Sequence, residues 1–197
     1  EPEKLIAAAK RSLENLDTDY VDLLLLHWPD DRVPLSETMP ALCELQKQGL
    51  TRNIGVSNFN IANIIEAKKY ADVPISVNQV EFHPFIKQNT LQTFLNNHHI
   101  LLEAYSPLAR GDVFDNEVIK EIADKHGITP AQVSLAWILS DKQHIAIPKT
   151  SNPEHLQGNL DAVKVTLSAD ELEKIGSLAR SDGRKIKHPD YSPEWDD

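Results

Sequence analysis

The run Leu23-Leu24-Leu25-Leu26, entered through Tyr20-Val21-Asp22 and left through His27-Trp28-Pro29, restricts the fold of this chain more than any other segment. It is too short for a buried helix and lacks the period-two alternation of a half-solvated strand. It therefore reads as a parallel strand covered on both faces, which places the chain in the α/β class. Open α/β sheets and α/β barrels collect their reactive groups at the C-terminal ends of strands. His27 stands at such an end.

The remaining sequence alternates in the same sense. Helical patterning over 2–15 puts Leu5, Ile6, Ala9 and Leu13 on one face, with Pro2 in the first turn, and the strand 21–27 follows. A helix over 36–48, with Ser36 as N-cap and Gly49 as stop, leads to a strand at 53–57. Then come a helix near 61–70, a strand at 75–82, a helix near 89–97 and a strand at 100–105. Helices at 116–126 and 130–141, the second opened by Thr129 and Pro130, precede a strand at 144–148 and helices at 154–161 and 169–180. Five strands, each followed by helical sequence, predict a parallel sheet with right-handed crossovers. No linker or composition break divides residues 1–197, so a single domain is expected. Strand counting alone leaves an open doubly wound sheet and part of a barrel equally available. Glu1-Pro2 opens a helical turn with no Ser, Thr, Asp or Asn before it, the pattern expected of a chain cut at its start.

Composition narrows the partners. With 30 acidic and 20 basic residues the net charge is −10, which repels phosphate backbones and anionic lipids, so neither nucleic acid nor membrane is an expected partner. The one cysteine, Cys43, reads as a buried structural thiol. No stretch nears the ~20 apolar residues of a membrane span and no signal pattern opens the chain, so a cytoplasmic protein is expected. No Cys or paired-His spacing suggests a metal. His98 and His99 are expected to face solvent, His83 to make a structural hydrogen bond, Trp137 to lie in the core, and Glu171, Glu173 and Lys174 to form a solvated helix face. The oligomeric state is left open.

Four strand ends share a chemistry: His27-Trp28-Pro29, Ser57-Asn58, Asn78-Gln79 with Glu81-Phe82-His83-Pro84, and Tyr105-Ser106-Pro107-Leu108. Ser57, Asn58 and Gln79 supply donors and acceptors matching a carboxamide, and Tyr105 offers a face for a planar ring. Nicotinamide has both features. The last strand runs into Ile147-Pro148-Lys149-Thr150-Ser151-Asn152-Pro153-Glu154, where a lysine, small polar residues and a helix N-terminus suggest an anion site.

These motifs, in this order and approximate spacing, resemble the aldo-keto reductases, in particular their bacterial diketogluconate-reductase-like branch. The resemblance runs from residue 1 to Ser192-Pro193-Glu194-Trp195. It implies a (β/α)₈ TIM barrel, of which about five of eight strands are present here, and NAD(P)H-dependent reduction of a small-molecule aldehyde or ketone. It implies that His27 is catalytic, bonding to the substrate carbonyl. Ser57, Asn58 and Gln79 match the carboxamide contacts, Tyr105 the stacking face, and Ser106 and Leu108 the pyrophosphate neighbours. Lys149, Thr150 and Ser151 match the adenosine phosphate site, His155 stands where the family often has an arginine, and Asn159 matches the adenine contact. Trp28 would line the substrate pocket and Trp195 would cover it. NADPH is expected over NADH because Lys149 keeps a charge for the 2′-phosphate, although His155 lacks the guanidinium fork. The family's acid tyrosine and its lysine and aspartate partners find no match in the chain. Asp17-Thr18-Asp19-Tyr20 imitates their pattern but aligns with the ordinary entry to the His27 strand. The 197 residues alone are therefore expected to be inactive. A Schiff-base aldolase using Lys149 and a non-catalytic nicotinamide-binding protein are the alternatives. A serine hydrolase fits less well, because the segment around Ser57 lacks the second glycine of a nucleophile elbow.

Overall fold

Most of the helices begin at a side-chain cap or with a proline in the first turn. A computed structural model describes all of residues 1–197. It shows α1 (Pro2–Leu16), β1 (Val21–Leu26), α2 (Leu35–Lys47), β2 (Thr51–Ser57), α3 (Ile61–Tyr70), β3 (Ile75–Glu81), α4 (Asn89–Asn97) and β4 (Leu101–Tyr105). After a 3₁₀ turn at Ala109–Phe114 come α5 (Glu117–His126), α6 (Pro130–Leu139), β5 (His144–Ala146), α7 (Pro153–Asp161), a second 3₁₀ turn at Ala162–Lys164, and α8 (Ala169–Gly176). Capping boxes open α3 (Asn60 with Asn63), α6 (Thr129 with Gln132) and α8 (Ser168 with Glu171). The βα alternation expected from the sequence is present. Its details differ in places. α2 starts one residue before Ser36, after Pro34 and without a side-chain cap. β5 stops at Ala146, ahead of Pro148, which has no N–H for a ladder. The last helix ends at Gly176 instead of 180.

The chain divides into two compact units, one formed by 1–79, 93–100 and 188–196, the other by 80–92, 101–187 and Asp197. In the first unit β1 and β2 pair in parallel, Leu23 opposite Asn53 and Leu26 opposite Val56. β2 and β3 are also parallel, with a register shift at Ile54/Gly55. Gly55 sits where neighbours crowd the backbone: a Cβ there would lie 2.6 Å from Leu25 Cδ2 and 2.7 Å from the Val77 carbonyl oxygen. Met39, Leu45, Ile54, Val56, Phe59 and Ile64 have no exposed surface and make the core of this unit, each worth about 1.5–3 kcal/mol of burial. Cys43 is buried on α2. The leucines of β1 are only half-buried, against the expectation of a strand covered on both faces, because β1 is hydrogen-bonded to β2 on one side.

In the second unit β4 pairs in parallel with β5. Val113, Ile119, Val133 and Ile175 are fully buried, and Phe82 stacks on Trp137 at 5.4 Å between ring centroids. Glu171 corrects the expectation of a solvated helix face. It is 5% exposed and accepts hydrogen bonds from Lys125 Nζ (2.7 Å), His126 Nε2 (2.9 Å) and the Ser168 N–H (2.8 Å). Its role in the capping box turns it inward, and the Lys125 bond, then the Ser168 N–H, hold its carboxyl well below the usual carboxylate range.

The segment after α8 is seated on the loop that follows β3. The Arg180 N–H donates to the Phe85 carbonyl at 3.1 Å, and Gly183 passes so close that a Cβ would stand 1.8 Å from the Phe85 oxygen. Replacing Gly183 by Ala must push one backbone away from the other, and is expected to lower unfolding stability in urea by about 1–3 kcal/mol. Gly158→Ala in α7, with nothing within 4 Å of its added Cβ, should leave stability unchanged or raise it by up to about 1 kcal/mol. Equal urea midpoints for the two variants would contradict this packing.

Candidate active site

In the first unit the ends of β1, β2 and β3 are stitched together by the residues the sequence singled out. Asn58 adopts a left-handed backbone (φ 61°), which turns the chain sharply at the end of β2. Its N–H donates to the Gln79 carbonyl at 2.8 Å, and its Nδ2 donates to the His27 carbonyl and to Ser57 Oγ, both at 3.1 Å. Ser57 Oγ donates to the Gln79 carbonyl at 2.9 Å. Asn78 Nδ2 donates to the Phe59 carbonyl at 2.9 Å from a fully buried position. Ser57 and Asn58 are thus buried joints between these strand ends, whereas Gln79 is half-buried and His27 is exposed. His27 and Trp28 line a cavity of about 350 Å³ with Leu5, Asp30 and Leu35. A ring nitrogen presented there can donate to an oxygen that gains charge.

The C-terminal tail joins this group through residues that sequence reading missed. His188 packs on Trp28 (5.6 Å between centroids) and on Tyr191 (4.3 Å). The Arg32 guanidinium lies 5.0 Å from the centre of the Tyr191 ring, bonds its hydroxyl, and is gripped by Asp30 at 2.8 and 2.9 Å. Trp195 is half-buried between two pinned neighbours. Asn60 Nδ2 donates to the Glu194 carbonyl at 2.8 Å, and Asp196 accepts the Ile61 N–H at 3.1 Å at the start of α3. No periodicity marked this tail.

The second unit carries the other set. Lys149, Thr150, His155 and Asn159 line one cavity of about 340 Å³ together with Leu108. Ser106, Leu108 and Lys149 line an adjacent hollow of about 400 Å³. Ser151 is exposed and lines neither. Tyr105 is half-buried. Burial first, and the charge of Glu81 second, raise its phenol well above the usual range, so the ring is neutral at any physiological pH. The start of α7 differs from the expected anion site. Asn152 Oδ1 accepts the Glu154 N–H at 3.0 Å and Pro153 has no N–H, so the helix keeps its first donors for itself. The free charge beside this helix end is that of the exposed Lys149.

At the end of β3 lies a buried pair, Glu81 and His83, both without exposed surface. His83 Nδ1 accepts the Phe85 N–H at 3.3 Å, which assigns the proton to Nε2, and Nε2 donates to Glu81 Oε1 at 3.0 Å. The other donors to Glu81 are the N–H groups of Lys185 (2.7 Å) and Ile186 (2.8 Å). His83 is structural, as expected. The anchoring role of Glu81 was not legible, since its partners lie more than one hundred residues away.

The aldo/keto reductase family model matches residues 1–180 of the chain. The chain is 40% identical over 197 residues to methylglyoxal reductase DkgB of Escherichia coli O157:H7, covering 98% of this chain and 73% of that protein. It is 42% identical over 190 residues to glyoxal reductase of Bacillus subtilis strain 168, covering 95% and 67%. The crystal structure of a candidate 2,5-diketo-D-gluconic acid reductase B matches with a TM-score of 0.97 and 37% identity over all of this chain and 70% of that one. A Gox0644 variant in complex with NADPH matches with a TM-score of 0.87 and 38% identity, covering 92% and 67%.

Burial opposes the charge of Glu81, but the hydrogen bonds from His83, Ile186 and Lys185 outweigh it and hold the carboxyl below its usual value. A depressed carboxylate stabilises the fold above its unfolded pKa, and that contribution is lost as pH falls through the folded one. Glu81→Gln is therefore expected to cost about 1–3 kcal/mol at pH 7 and to show a shallower loss of stability than the parent between about pH 5 and 3. Identical pH slopes for the two proteins in urea unfolding would contradict the assignment.

Proposed function

Because the chain belongs to the aldo/keto reductase family and its five strands match part of that family's (β/α)₈ barrel, we propose that it binds NADPH at its strand ends for the reduction of the carbonyl group of small aldehydes or ketones. The observation that carries this reading is the cavity of about 340 Å³ into which Lys149, Thr150, His155 and Asn159 converge, the positions matched to the adenosine end of the cofactor. An exposed lysine beside small polar residues suits a phosphate, and Lys149 is the group for the 2′-phosphate that separates NADPH from NADH. Ser106 and Leu108 stand for the pyrophosphate, Tyr105 for stacking, and Ser57, Asn58 and Gln79 for the carboxamide. The neutral phenol of Tyr105 and the buried joints at Ser57 and Asn58 fit a planar, uncharged amide-bearing ring.

NADPH, when bound, supplies the reducing equivalents to the carbonyl carbon. His27 donates a hydrogen bond to the carbonyl oxygen, orients it and stabilises the charge that builds there. Trp28 forms an apolar wall, with Trp195 as its cover. Small 2-oxoaldehydes are the substrate class this reading takes, with support from relatives named for methylglyoxal and glyoxal. The proton that completes the alcohol calls for the family's tyrosine, lysine and aspartate, for which residues 1–197 offer no match; the 197 residues by themselves bind cofactor and do not turn over. Residues 1–197 act as one functional domain in this reading. No helix is long and apolar enough to cross a membrane, and a single buried thiol fits a reducing cytoplasm.

Fluorescence titration tests the reading. Lys149→Met should weaken NADPH binding by about tenfold or more, the worth of a charge-assisted bond, and NADH binding by no more than about twofold. Equal losses for both cofactors, or no NADPH binding by the parent chain, would overturn the proposal. With methylglyoxal present the 197 residues alone should leave NADPH unoxidised, and steady oxidation would contradict the proposed need for a further proton donor.

A further inference from the structure

The segment Pro107–Phe114 walls one hollow of the second unit and lends Leu108 and Phe114 to the other, and Lys149 lines both. This wall is held in an unfavourable backbone. Ser106, Ala109, Arg110 and Gly111 all have left-handed φ values (49°, 48°, 55° and 109°), three of them consecutive and only one a glycine. Such conformations persist only where the surroundings impose them. Inside the turn, Ala109 donates to Ser106 at 2.9 Å and Gly111 to Leu108 at 2.8 Å, and Ala109 and Val113 are fully buried. From outside, one charged contact reaches it: Lys185 Nζ bonds the Asp112 carboxylate.

Lys185 is no ordinary surface lysine. Its own N–H and that of Ile186 are both spent on Glu81, a carboxylate with no exposed surface that is also bonded by His83. Two residues earlier, Gly183 is wedged against Phe85. The ammonium is therefore launched from an immobile base, which lowers the side-chain ordering cost that makes most exposed ion pairs worthless. Both partners are also partly covered, at 31% and 43% side-chain exposure.

We infer that Lys185 is a positioning residue for the dinucleotide groove, bracing the Ala109–Phe114 turn from the C-terminal segment through Asp112 and so fixing the wall opposite Lys149. The ligand's identity rests on the proposed NADPH reading; the brace itself does not. Without it the turn relaxes, the groove loses its set width, and bound dinucleotide leaves faster.

The variants Lys185→Ala, Asp112→Ala, the double variant and Lys185→Arg are compared in two assays. The first, without cofactor, is cleavage after the exposed Arg110 by an arginine-specific protease, quantified by mass spectrometry. The second is NADPH release by stopped-flow fluorescence. Both single variants should raise cleavage and release about two- to fivefold, the scale of a partly exposed ion pair. The double variant should add nothing further, and Lys185→Arg should restore both. Unchanged cleavage in Lys185→Ala would overturn the brace, and faster cleavage with unchanged release would overturn its role in binding. If the parent chain fails to bind NADPH, the functional reading falls while the cleavage assay still decides the brace.

Discussion

A strand that ends must hand its last carbonyl groups to some donor, and in this chain that requirement fixes the residues of the candidate site. Buried backbone acceptors left without a partner cost as much as a lost hydrogen bond. At the end of β1 the donor is Asn58 Nδ2, at the end of β3 it is Ser57 Oγ with the Asn58 N–H, and beyond β4 it is Ser134 Oγ, bonded to the Pro107 carbonyl at 2.7 Å. The Tyr105 carbonyl is taken by the Phe82 N–H at 3.2 Å. The polar residues that look like ligand contacts in the sequence are first the fasteners of these ends. Side chains locked in this way present a fixed floor, which is what a preorganised binding surface needs.

The same economy governs charge. Glu81 is buried with a full set of donors, two of them backbone groups from the segment after α8, so one carboxylate orders both the end of β3 and a distant piece of chain. Glu171 does the equivalent for α5 and α8 through Lys125 and His126. Lys149 and His27, by contrast, are exposed. The two structural carboxylates are enclosed and satisfied, whereas Lys149 and His27 line open cavities.

Much of this was legible in local sequence. The strand before His27 and the cap at Thr129 each depend on a few adjacent residues, and the structure shows both. What was not legible depends on contacts across long separations or on competition for a donor. Nothing near Glu171 announces Lys125, and nothing near Glu81 announces Lys185. The α7 N-terminus reads as an anion site until Asn152 is seen to take the Glu154 N–H. The half-exposed leucines of β1 follow from its single pairing partner, which residue type alone does not reveal.

These strand ends are proposed to grip a reduced dinucleotide. Hydrogen–deuterium exchange of the chain with and without NADPH tests this most directly. Slowed exchange is expected only in the segments around Ser57–Asn58, Gln79, Tyr105–Leu108 and Lys149–Asn159. Protection that spares these four segments, or falls on the helix faces instead, would contradict the proposal.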